Sequence, residues 1–146
     1  MKAKLSFLLT AVLFTFIING CTASMNDVLQ EKNEGTAKTY SVTPDQAWEI
    51  AVTVLRWEDC EMIEEHRMSG YMLTKIDNES ILWREESLIG VWVDSLNTDK
   101  TKVTVVTKRK HKTAAVTGLT ETTFHETFAN AVNILKKGQK LPIAKP

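Results

Sequence analysis

Two thiols, three imidazoles and two pairs of adjacent carboxylates are the groups in this 146-residue chain that could do chemistry. The thiols are Cys21 and Cys60. A thiol acts as nucleophile or metal ligand only as the thiolate, so its pKa decides its use. Cys60 stands between Asp59 and Glu61, and neighbouring acids raise that pKa. It therefore reads as a buried structural thiol; a reactive or intermolecular thiol is the alternative. The imidazoles are His66, His111 and His125. A helical zinc-protease site needs a second histidine four residues on, and His125-Glu126 lacks one. No His or Cys pair has metal-ligand spacing, so no metal and no cofactor is implied. Glu64-Glu65 and Glu85-Glu86 are the carboxylate pairs. Glycoside hydrolysis needs two carboxylates facing each other across a cleft, whereas neighbours on a strand point to opposite faces. These acids read as solvated charge. No serine sits in a nucleophile elbow and no Gly-rich loop could cradle phosphate, so a protein without enzymatic activity is expected.

Cys21 has a different setting. Lys2 and Lys4 precede an uncharged apolar run from Leu5 to Ile18, which is the charged and apolar order of a secretory signal. The run is shorter than the ~20 apolar residues that span a bilayer. It ends in Ile18-Asn19-Gly20-Cys21, which resembles the lipobox of bacterial lipoproteins: a branched apolar residue, a small residue before the cut, then Cys. Asn19 departs from the small or aliphatic residue usual at its place. The resemblance implies cleavage before Cys21 by a lipoprotein signal peptidase that recognises Ile18 and Gly20. A diacylglycerol is then carried on the Cys21 thiol and a further acyl chain on the new amino terminus. Each buried methylene adds about 0.8 kcal/mol, so two or three chains hold a protein on a membrane. Thr22 follows Cys21, where Asp would imply inner-membrane retention, so the expected place is the outer membrane, facing the periplasm. An ordinary signal peptide with an incidental Cys is the alternative.

Removing residues 1–20 leaves one domain's worth of chain. The precursor balances 18 basic against 18 acidic residues; losing Lys2 and Lys4 leaves a small acidic excess. Near-neutral charge gives no argument for nucleic acid as a partner. With Cys21 used by lipid, Cys60 has no partner for an internal disulfide.

The positioning elements follow from pattern. Residues 22–38 are polar and aperiodic and read as a flexible tether of about 20–25 Å, the lipidated residue and tether together being 21–38. A strand is expected over Thr39 to Val42. Thr43-Pro44-Asp45-Gln46 combines a capping box, proline at the first helical position and an acid in the first turn. It opens a helix to about Trp57 with Ala47, Trp48, Ala51, Val52 and Leu55 as its apolar stripe. Strands are expected over Cys60 to Glu65, Tyr71 to Ile76, Ile81 to Arg84, Leu88 to Leu96 and Thr101 to Lys110. Turns are read at Ser69-Gly70, Asp77 to Ser80 and Asn97 to Lys100. A second helix runs from about Glu121 to Lys137, capped by Thr120, with Phe124, Phe128, Ala131, Val132 and Leu135 on one face and Gly138 at its end. Residues 39–138 form the domain, and 139–146 read as a frayed tail.

Two amphipathic helices must each bury one stripe. The economical arrangement lays both on one face of an antiparallel sheet of four to five strands, a two-layer α+β domain in the order β-α-β-β-β-β-α. The run Tyr40-Ser41-Val42-Thr43-Pro44-Asp45-Gln46-Ala47-Trp48, Leu55 and Gly70-Tyr71-Met72-Leu73-Thr74 resembles small bacterial lipoproteins. Their element order is similar to the helix-grip domains of the BamC lipoprotein in the outer-membrane β-barrel assembly machinery. The likeness spans roughly residues 39–137 and implies the fold and the envelope setting; it carries no functional residues.

Two features suggest a contact surface. Lys108-Arg109-Lys110-His111-Lys112 is the most basic stretch. Lys108, Lys110 and Lys112 share a strand face and could meet anionic headgroups at about 1 kcal/mol each. The alternative is a solvated strand end paired with the acidic Glu61 to Glu65 strand. Of the four tryptophans, Trp48 and Trp92 fall in core register, while Trp57 and Trp83 are candidates for an exposed aromatic contact. The expected function is a membrane-anchored envelope lipoprotein with an interaction or accessory role, its partners the membrane through Cys21 and an envelope protein. The alternative is a carrier of a small apolar ligand held between sheet and helix, lined by Trp57, Trp83, Met62, Met68 and Met72.

Overall fold

The computed structural model describes residues 23–60, 62–79, 84–110 and 119–146. The elements are α1 (Met25–Gln30), a 3₁₀ turn (Lys32–Glu34), β1 (Thr36–Tyr40), α2 (Pro44–Trp57), β2 (Ile63–His66), a 3₁₀ turn (Arg67–Ser69), β3 (Tyr71–Glu79), β4 (Arg84–Ser95), β5 (Thr101–Arg109) and α3 (Glu121–Lys136). The strands form one antiparallel sheet in the order β1-β5-β4-β3-β2. The α+β class and the five-stranded antiparallel sheet expected from the pattern are what the chain adopts.

The period-two alternation of β4 and β5 sorts their side chains to two faces. Ile89, Val91, Val93, Val103 and Val105 point to the main core, where they meet α2 and α3. Leu88, Trp92 and Val106 point the other way. α2 begins as its sequence requires: the Thr43 side chain accepts from the Gln46 amide and the Gln46 side chain accepts from the Thr43 amide. It buries Ile50, Val54 and Trp57 besides the expected stripe, because it touches both the sheet and α3. α3 ends with Gly138 at φ 71°, where its amide donates to Leu135 O and that of Gln139 to Ile134 O. This is a Schellman closure, which favours glycine because it has no Cβ to strain.

The structure departs from the expected boundaries in several places, β2 among them, which runs Ile63–His66 rather than Cys60 to Glu65. Residues 24–38 are not a tether. Ser24 caps α1 with a reciprocal capping box to Asp27, and Val28 is fully buried against Leu73, Leu88, Trp92 and Val106. The sheet therefore carries the two long helices on one face and this short helix on the other. β1 starts at Thr36 rather than Thr39. Asp77, Asn78 and Glu79 lie in the ladder opposite Glu86, Glu85 and Arg84 rather than in a turn. The third piece expected over Ile81 to Arg84 falls mostly outside the described residues, and Arg84 opens β4. Finally, the 139–146 segment lies over α2: Trp57 Nε1 donates to Pro142 O at 3.0 Å, Lys145 pairs with Glu58, and Leu141 packs on the core.

Candidate functional site

The residues expected to make contact are not brought together. Trp57 is buried in the main core at 6% exposure, its indole N–H taken by Pro142, so it is no exposed aromatic contact. Lys108 ion-pairs with Glu31 at the end of α1, and Lys110 with Glu86 at 2.8 Å. These pairings hold the Lys108 ammonium above its ordinary pKa and the Glu86 carboxyl below its own. The acids that answer this basic stretch come from α1 and from the adjacent β4, because β2, with Glu64 and Glu65, lies three strands from β5. Cys21, Ile18, Gly20, Trp83, His111 and Lys112 lie outside the described residues.

The space between sheet and helices is occupied by packed side chains. Met72 is fully buried there beside Ile76 and Trp57, whereas Met62 and Met68 stand in solvent. Met62 and Met68 therefore line no space between sheet and helix, and Trp83 lies outside the described residues.

A groove of about 470 Å³ opens instead along the outer side of α2. One wall is α2 itself, with Trp48, Glu49, Val52, Thr53 and Arg56; Glu65 and Arg67 close one side and Leu135, Lys140 and Leu141 the other. Trp48 is held in place by its indole N–H, which donates to Glu65 Oε2 at 2.7 Å, and by Arg67 lying 5.5 Å over its ring. Arg67 in turn donates to Asp45 at the start of α2. The Thr53 hydroxyl donates to Glu49 O at 2.8 Å and is thereby occupied. The groove presents cations and carboxylates above apolar side chains, a lining suited to recognition of a mixed polar and apolar ligand.

A second polar cluster joins α3 to the edge strand β1. Glu121 accepts from Thr36 N at 2.9 Å, from the Thr36 hydroxyl and from Thr107 N at 3.1 Å. His125 is fully buried, its Nε2 2.9 Å from Thr36 O and its Nδ1 2.8 Å from the Tyr40 hydroxyl. A carbonyl can only accept, so Nε2 carries the proton and Nδ1 accepts from Tyr40. Burial holds the His125 pKa below its ordinary value and pushes that of Tyr40 up to about 12. The cluster satisfies the Thr36 amide and carbonyl of β1 and the Thr107 amide of β5.

Cys60 is 2% exposed. Burial, with Glu58 and Asp59 adding to it, pushes its thiol up to about 12. The Asp59 neighbour read from the sequence contributes, but desolvation is the main cause. Among the described residues no group of three or more His, Cys, Asp or Glu could hold a metal ion, and no helix is long and apolar enough to cross a membrane.

No family model and no curated protein matches the chain. Among solved structures, the ZhuI aromatase/cyclase from Streptomyces sp. R1128 is similar at 16% identity with a TM-score of 0.31, over 70% of this chain and 84% of that one. A likeness at this level carries no argument about activity.

Proposed function

We propose that this chain is the precursor of a lipid-anchored envelope lipoprotein whose α+β domain serves as a non-enzymatic interaction or accessory module. The observation that carries the reading is Ile18-Asn19-Gly20-Cys21 at the end of an apolar run begun by Lys2 and Lys4. A signal and a thiol at that spacing suit lipid attachment, and the buried Cys60 is no substitute acceptor. The outer membrane, facing the periplasm, is the place proposed, and an envelope protein the proposed partner. Radiolabelled palmitate fed to cells making the protein should enter the wild-type chain and not the Cys21→Ala variant. Label in both, or in neither, would oppose the reading.

The groove beside α2 favours a second reading, in which the domain carries a small amphipathic ligand. Its site would be the outer wall of α2 rather than the space under it. Native mass spectrometry of protein taken from its own host tests this; a ligand-free mass counts against it.

A further inference from the structure

We propose that the sheet face covered by α1 rests against the lipid bilayer, so that the α2/α3 layer and its groove face away from the membrane. The inference rests on the lipid anchor proposed at Cys21. Ser24 caps α1: its amide donates to Asp27 Oδ2 at 2.6 Å while its side chain accepts from the Asp27 amide, and Ala23 before it packs on the cluster beneath. α1 is then fixed to the sheet by Val28, which is fully buried among Leu73, Leu88, Trp92 and Val106. Cys21 stands three residues before Ser24, and three residues span at most roughly 10–11 Å. A thiol carrying buried acyl chains therefore holds the start of α1 within about one helix diameter of the headgroups.

The chemistry of this surface suits the position. The exposed residues around α1 are polar: Ser24, Asn26, Gln30 and Asn33 are uncharged, and Glu34 carries a negative charge. Of its acids, Asp27 is engaged by the Ser24 cap and Glu31 by Lys108, and the charge of Glu34 acts on Lys108. Met25 and Leu29 pack partly buried on the cluster beneath. The surface is wet and lacks a wedge of bare apolar side chains, so it would lie at the headgroups and leave insertion to the lipid. The long helices occupy the opposite face of the sheet. The groove is thereby kept on the side open to a partner or ligand.

The test uses full-length protein extracted with its lipid and reconstituted in phosphatidylcholine/phosphatidylglycerol vesicles that carry a headgroup nitroxide. Asn26→Cys on α1 and Glu126→Cys on α3, both at exposed positions, are labelled with a thiol fluorophore. Cys60 is buried and the Cys21 thiol would be taken by lipid. Label at position 26 should be quenched several-fold more strongly than label at 126. A long Gly/Ser insertion between Thr22 and Ala23 should remove the difference. Equal quenching at both positions, or stronger quenching at 126, in a sample whose intact mass includes the lipid overturns the orientation alone. An intact mass without lipid overturns the anchor and the orientation together.

Discussion

Gly90 leaves the space that Val28 fills: a Cβ built at residue 90 would lie 2.7 Å from Val28 Cγ1 and 2.7 Å from Trp92 Cη2. No real side chain tolerates such distances, so α1 can sit this close to β4 only over a glycine. Gly90→Ala should force α1 or Trp92 to shift and cost about 1–3 kcal/mol, as overpacking does. Val28→Ala should destabilise in the same range by losing buried methyl groups. Urea denaturation of both variants checks this. Wild-type midpoints would mean that α1 is not docked as described.

The Glu121 carboxylate holds two backbone amides from different strands, Thr36 N and Thr107 N. Glu121→Ala should leave both without this acceptor and cost about 1–3 kcal/mol. Amide exchange should rise at Thr36 and Thr107 before it rises in β3 or β4. Unchanged exchange at both amides would remove the clamp from the account.

His125 links stability to pH. Its folded pKa lies below the ordinary 6.5, chiefly through burial, with Lys38 acting in the same direction and the Thr36 carbonyl and Glu121 against it. The unfolded chain therefore binds the proton more readily than the folded one. The stability from neutral His125 is fully present above about pH 6.5 and is lost as pH falls from that unfolded value through the lower folded one. His125→Gln should be less stable at pH 8 and should lose less between pH 7 and 5 than the wild type. Denaturation midpoints across that range give the comparison; parallel pH profiles would contradict it.

Cys60 should resist modification. With its thiol pushed up to about 12 and its sulfur buried, an alkylating reagent at pH 8 should label it only after denaturant is added. Rapid labelling of the folded protein would show a reactive thiol.

The ends of α2 and α3 were legible because capping is local chemistry. Thr43-Pro44-Asp45-Gln46 and the Gly138 stop specify their own conformations within one turn. The alternation in β4 and β5 was legible for a similar reason, though not that its second face would be covered. α1 escaped because six residues are too few to show a helical stripe, and its burial rests mainly on Val28. The box from Ser24 to Asp27 was the available signal; it uses Asp where a Glu or Gln is usual. The first residues of β1 escaped because an edge strand with exposed side chains, Ala37, Lys38 and Thr39, has no alternation to read. Trp57 was misplaced because its cover, Pro142, comes from a segment 85 residues away in sequence. The ion partners of Lys108 and Lys110 depended on sheet order, which local pattern does not encode.

Intact mass of the membrane-extracted protein, paired with Cys21→Ala, tests the central proposal most directly. The account predicts a wild-type mass that starts at residue 21 and includes diacylglyceryl and acyl groups, with the variant left unprocessed. Cleavage elsewhere, with no lipid and a soluble product, would contradict it.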